Sequence, residues 1–293
     1  MTHKFQSDAM LIRRRGNDQR SDQDIVDAYV FERRLSDKLR TASAEERPQL
    51  YIDVYREFYE VMSAEQGESD TARELHERAR DERNSIRLKS FRRYINPQTD
   101  FLEVAANDGT LSYMVAPHVR IAYATDVQDV VIDYGKAPKN FRYLKCDGIL
   151  IPLPDESVDF VYSDQFMEHL HPDDMIAQMK EVLRILRPGG LYRCNTPSRV
   201  TGPHDVSGYF DDVATGFHLK EYDYASIVTA FKQSGFRKVW LFASGGGREI
   251  QIPFWFGRLF DKIMTSLPQS LRRKLRHLRI IRGLAGLCVV GVK

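Results

Sequence analysis

The stretch Phe101–Met114, FLEVAANDGTLSYM, decides how the rest of the chain reads. An apolar run ends in Glu103, passes through the small-residue loop AAND and enters a helical segment at Gly109. A strand that ends in an acid and turns tightly into a helix gathers three things at the carboxyl edge of a sheet: backbone N–H groups, a helix N-terminus and a carboxylate. This is the grammar of a nucleotide loop. Two positions where such a loop favours glycine carry Ala105 and Asn107 instead. Asparagine is the non-glycine residue that best tolerates a left-handed backbone. Alanine adds only a methyl group, acceptable where φ is negative and the ligand passes at a small distance. The loop is therefore expected to work, with reduced affinity.

The neighbouring runs extend the pattern. The next strand, ending YATD, places Asp126 where a carboxylate can accept two ribose hydroxyls. The third, FRYLKCD, ends in Asp147, followed by Gly148 and the apolar Ile149–Leu153. From residue 99 onward TDFLEVA, VRIAYATD, FRYLKCD, VDFVYSD and GLYRCNT alternate with helical stretches, most clearly DMIAQMKEVLRIL. Strands alternating with helices predict an α/β fold, a mostly parallel sheet with helices on both faces. A helix near Tyr224–Ser234, a strand near Arg237–Phe242 and a last strand, LCVVGVK, complete it.

Before this domain, residues 22–98 read as a helical N-terminal region that caps it. Ile25, Tyr29 and Val30, then Leu50, Val54, Phe58 and Val61, recur at helical spacing among charges of both signs. Residues 1–21 are polar and charged and are expected to be a disordered tail. They hold no apolar core of a secretory signal. Within the domain spanning 99–293, residues 248–283 read as an insertion. It holds nine basic residues against two acidic ones, a net +7 in a chain whose total is +2. Phe256, Leu259, Phe260, Ile263, Met264 and Leu267 form an apolar face there, which suits either an anionic membrane surface or a lid packed on the core. No run of 18 or more apolar residues occurs. Cys146, Cys194 and Cys288 lie far apart in strand-like stretches, so they are read as buried thiols in a reducing compartment. Cytoplasmic location follows, with contact at the inner face of the membrane through residues 252–282.

Five ordered pieces, Glu103–Gly109, Asp126, Asp147, IPLPDESVDFVYSDQFMEHL and EVLRILRPGGLYRCNTPS, together resemble the class I S-adenosylmethionine-dependent methyltransferases of the type 11 subgroup. The resemblance covers roughly residues 99–243 plus the final strand. It implies a Rossmann-like, seven-stranded, mostly parallel sheet with an antiparallel last strand, and S-adenosyl-L-methionine as cofactor. By position it implies that Glu103, Ala105, Asn107 and Gly109 border the methionine part and that Asp126 holds the ribose. Asp147 and Gly148 would meet the adenine. Ser163, Asp164 and Gln165 would line the mouth where donor and acceptor meet.

A hydroxyl acceptor needs a base with a pKa near 7. His169 and His171 in MEHLHPDD are the candidates, His169 preferred because similar enzymes carry histidine in this Glu-His-Leu context; His204, His218 and Glu168 are rivals. No HExxH or CxxC occurs, and the Asp173–Asp174 and Asp211–Asp212 pairs are too common to indicate a metal, so none is expected. The segment after the fourth strand, SDQFMEHL, lacks the Asn/Asp-Pro-Pro-aromatic motif of base-amino methyltransferases, so no nucleic-acid partner is expected. The long Gly-containing loop Arg199–Phe217 reads as a substrate lid. These features favour O-methylation of a sugar, a polysaccharide or a lipid-linked small molecule. The alternative is a non-catalytic methyltransferase-like binding protein acting through its helical N-terminus. A nicotinamide enzyme would need G-x-G-x-x-G, which AAND does not supply.

Overall fold

The computed structural model describes residues 12–14, 18–65, 70–129, 132–245 and 248–293. Three helices come first: α1 (Asp22–Thr41), α2 (Arg47–Glu65) and α3 (Asp70–Phe91). Ser21 starts α1 through a capping box, its hydroxyl accepting from Asp24 N while the Asp24 carboxylate accepts from Ser21 N. The expected disordered tail lies partly outside the described residues. Within it, Ile12 packs against Ile25, Tyr29 and Tyr209, and Arg13 N donates to Tyr209 O at 2.8 Å.

The sheet follows: β1 (Asp100–Val104), β2 (Ile121–Asp126), β3 (Phe141–Lys145), β4 (Val158–Asp164), β5 (Leu186–Pro197), β6 (Lys238–Gly245), β7 (Arg248–Ile252) and β8 (Gly286–Val292). Helix α4 (Thr110–Val115) follows β1, α5 (Pro172–Ile185) links β4 to β5, and α6 (Tyr224–Gln233) precedes β6. Between β7 and β8 lie α7 (Phe254–Ser266), α8 (Gln269–Leu275) and α9 (Arg279–Ala285). The strand order is β3-β2-β1-β4-β5-β8-β6-β7. The pairs among β1 to β5 are parallel, and β8 runs antiparallel to both β5 and β6. The chain winds outward from β1 to β3 and then restarts beside β1 with β4. The β1–β4 junction is thus the topological switch point, where open α/β sheets bind ligands.

The sheet has eight strands, not seven. The additional one is β7, at the start of the expected insertion, paired antiparallel with β6. Its polarity is inverted relative to an ordinary edge strand. Glu249 points inward to a bidentate ion pair with the buried Arg193 of β5, while Ile250 is 70% exposed. REIQI therefore lacks the apolar-in alternation that marks a strand.

The helical region shares the core of the domain. Leu35, Leu39, Tyr51 and Val54 pack in one cluster with Val127, Met167, Leu170 and Phe217, and Phe91 stacks on Phe101 beneath β1. No described helix is long and apolar enough to cross a membrane. All three cysteines are free thiols; Cys194 and Cys288 are buried and Cys146 is half-buried.

Candidate active site

At the switch point the chain encloses a cavity of about 680 Å³, within the range of small-molecule sites. Its floor is the loop after β1. Ala105 and Asn107 both adopt left-handed backbone, with φ of 57° and 51°, and Gly109 follows at 72°. The condition of negative φ at Ala105 is therefore not met; the position is strained for a residue with a Cβ. The turn survives because its neighbours hold it. Ala106 N donates to Thr125 O at 3.1 Å, and Asn107 N donates to Asp126 Oδ2 at 2.9 Å. Ala105→Gly is expected to raise stability by about 1 kcal/mol, the left-handed penalty less the entropy of glycine, and to leave cofactor affinity unchanged or tighter. Urea denaturation checks the first and calorimetry the second.

Asp126 closes β2 beside this loop. Its Oδ1 accepts from Val127 N at 2.7 Å, and burial pushes its pKa up to about 6. Glu103 lies deeper. Burial pushes its pKa up to about 8, although Ser112 Oγ donates to Oε2 at 2.6 Å. Two carboxylates raised in pKa by burial at one cavity wall mark a candidate functional site.

Glu103, Ala105, Asn107, Asp126, Gly148, Asp164, Gln165 and His169 line the cavity together. Four expected residues do not. Gly109 starts α4 and faces Ile132, so it shapes the loop from behind. The Asp147 carboxylate accepts from Ile149 N at 2.9 Å and Leu150 N at 2.7 Å, which ties it to its own turn outside the cavity. Ser163 is fully buried with its Oγ 2.8 Å from Tyr192 OH. His171 caps α5, accepting from Asp173 N, and its ring stays outside. The glycine at 148 has φ of 88°, and a Cβ there would meet the Tyr51 ring at 3.1 Å. Glycine is what lets α2 approach.

His169 has its Nδ1 3.1 Å from Phe217 O, so Nδ1 carries the proton and donates. Burial pushes its pKa down to about 3. The ring is neutral, but at that value it is a poor general base. Of the rivals, His218 and Glu168 are buried behind the cavity wall, and His204 is exposed outside the cavity.

Two walls were not anticipated. Tyr51, Tyr55, Phe58 and Tyr59 of α2 form an aromatic side with Phe217. Of these rings only Phe58 belongs to the helical stripe Leu50, Val54, Phe58 and Val61 read from the sequence. Opposite, α3 presents Arg73, His76, Arg80, Arg83 and Arg87, spaced three and four residues apart along one helix face. Arg80 pairs with Asp108 at 2.8 Å and Arg87 pairs with Asp164. Arg83 has no hydrogen-bond or ion-pair partner among the described residues. That periodicity is the one signal the sequence carried for this wall.

The comparisons agree with the geometry. A family model described as Methyltransferase domain matches residues 102–194. A probable S-adenosylmethionine-dependent methyltransferase of Mycolicibacterium smegmatis is 32% identical over 142 residues, 47% of this chain and 51% of that protein. One from Mycobacterium tuberculosis is 28% identical over 138 residues, 47% of this chain and 48% of that protein. The chain thus spans about half the length of the curated relatives it matches. The Haloferax volcanii methyltransferase solved with its Trm112 activator superposes with a TM-score of 0.53 at 17% identity, over 75% of this chain and 95% of that one, and shows a shared fold. Over this domain the chain is thus similar to the S-adenosylmethionine-dependent methyltransferase family. S-adenosylmethionine is the cofactor of that family.

Proposed function

We propose that the protein is an S-adenosylmethionine-dependent methyltransferase acting on a hydroxyl of a sugar or polysaccharide intermediate that is linked to lipid. The observation that carries the first half is the left-handed loop Ala105–Gly109 clasped by the Asp126 carboxylate at the switch point. The residues fit the cofactor. The loop turns small side chains and backbone toward a cavity of the right size, and Asp126 keeps lone pairs for two ribose hydroxyls. Glu103 is a buried acid that gains a counter-charge at the methionine end. When bound, S-adenosylmethionine supplies a methyl group activated on a sulfonium centre. The chain contributes alignment: the aromatic wall of α2 and Phe217 excludes water and orients an acceptor beside the loop.

The second half rests on two surfaces. Arg83 is an uncompensated cation at the cavity wall, which suits an acceptor carrying phosphate, as lipid-linked sugars do. Helix α7 sends Phe260 and Met264 into the core but leaves Trp255, Leu259 and Ile263 exposed on one face, Trp255 by 65%. Arg258 and Lys262 neighbour that face. An exposed aromatic and aliphatic stripe beside basic residues suits the interface of an anionic membrane. The full chain is expected to float with phosphatidylcholine–phosphatidylglycerol vesicles. Exchanging Trp255, Leu259 and Ile263 for serine should cut the bound fraction at least about fivefold while leaving S-adenosylhomocysteine binding intact. Equal flotation of both forms removes the membrane reading. Transfer of labelled methyl to a polyprenyl-phosphate-linked sugar, and not to the free sugar, tests the acceptor.

A further inference from the structure

We propose that Glu168, His169 and His218 form a site for a divalent transition metal, zinc above all, in the inner wall of the cavity. The turn Met167–His169 after β4 supplies the first two, and the segment entering α6 supplies the third. Main-chain bonds lock the segments side by side: Leu219 N and Lys220 N donate to Glu168 O at 2.7 and 3.1 Å. A carboxylate oxygen of Glu168 and one ring nitrogen of each histidine lie within 4.8 Å of one another. The two imidazole rings stand 4.9 Å apart at 85°.

Three observations distinguish this cluster from a chance meeting of polar groups. Glu168 is wholly buried, and while its Oε2 accepts from Thr196 Oγ1 at 2.9 Å, its Oε1 has no hydrogen-bond partner. A buried carboxylate oxygen without a partner is costly and calls for positive charge. Each histidine also has an acceptor on Nδ1: the Phe217 carbonyl at 3.1 Å for His169 and Glu221 Oε1 at 2.8 Å for His218. Metal-binding histidines are held this way, with Nδ1–H tied to a carbonyl or carboxylate and Nε2 left as the lone pair. Glu221 is itself fixed by His204 N at 2.6 Å. Finally, His169 belongs to the cavity wall, so the cluster adjoins the proposed site of methyl transfer.

Two imidazoles and one carboxylate suit Zn²⁺, with Mn²⁺ or Fe²⁺ as weaker fits, and do not suit Mg²⁺ or Ca²⁺. Tetrahedral binding at about 2.0–2.1 Å places ligand atoms about 3.4 Å apart, so the side chains close by about 1 Å or less on loading. Three protein ligands leave a fourth position for water or an acceptor hydroxyl, whose acidity the metal would raise. The inference stands on the cluster itself and does not require the acceptor class above. The competing arrangement is a metal-free ion trio, with a protonated His218 between Glu221 and Glu168.

The test is calorimetric titration of the chelator-treated full chain with ZnCl2, with MgCl2 as control and zinc counted by mass spectrometry after gel filtration. One tightly held zinc per chain is expected, with no response to magnesium. Glu168→Gln and His218→Asn should each weaken zinc binding at least about tenfold, and Glu221→Gln by about tenfold through His218. Binding of S-adenosylhomocysteine by the same variants reports folding and the methyltransferase reading separately. No zinc uptake, or uptake indifferent to all three substitutions, overturns the site. Should the variants fail to fold, Co²⁺ loading of the unaltered chain decides. Visible bands of a low-coordinate nitrogen–oxygen site support it, and their absence under saturating Co²⁺ overturns it.

Discussion

Asp126→Ala is expected to weaken S-adenosylhomocysteine binding by at least about a hundredfold. Two losses add. The carboxylate's proposed bonds to two ribose hydroxyls go, each worth about 1.5–3 kcal/mol for a charged acceptor, so about 3 kcal/mol at the least, or somewhat more than a hundredfold. The anchor of the loop goes too, because Asn107 N then has no carboxylate to meet at 2.9 Å. The same residue sets a pH dependence. Its pKa is raised to about 6 by burial, and hydroxyl donors require the ionised form. Affinity should therefore fall as pH drops through about 6, and the alanine variant should lose that slope. For stability the sign is opposite: the folded value lies above the unfolded one, so ionising Asp126 costs stability as pH rises between the two. Calorimetry from pH 5 to 8 reads the affinity. Undiminished binding by Asp126→Ala would remove the ribose assignment.

Arg47→Ala is expected to destabilise the fold by about 3–5 kcal/mol. Arg47 at the start of α2 and Asp174 in α5 are each 4% exposed and form a bidentate pair at 2.5 and 2.7 Å. Tyr51 OH adds a donor to Asp174 at 2.9 Å. Removing the guanidinium leaves a buried carboxylate without its charge partner, which is far more costly than losing a surface pair. This contact docks α2 on the sheet domain, so the aromatic wall should loosen and cofactor affinity fall with it. A double change, Arg47→Met with Asp174→Leu, removes both charges and should recover most of the loss. Urea denaturation reads both forms. A loss under about 1 kcal/mol for the single change would mean that the helical region is held by other contacts.

The part of the site that lies within one strand–loop–helix unit was legible. Glu103, the loop and Asp126 depend on local order and on strand ends, and both are written in consecutive residues. Asp147 misled because an acid at a strand end can cap its own turn as readily as face a ligand; only the positions of Ile149 N and Leu150 N separate the two. β7 escaped because its inward residue is Glu249, matched to a buried arginine on another strand. The helices of 22–98 were visible as helices, yet nothing local tells whether a row of tyrosines faces a core or a cavity. The proposed metal cluster has no ligands at fixed local spacing. Glu168 and His169 meet His218 only through the pairing of two distant loops.

The central claim is that this cavity takes S-adenosylmethionine, and calorimetric titration of the full chain with S-adenosylhomocysteine, with NAD as the competitor cofactor, tests it most directly. Saturable binding of one S-adenosylhomocysteine per chain with no heat from NAD is the expected result. Silence with both, or NAD bound as tightly, would contradict it.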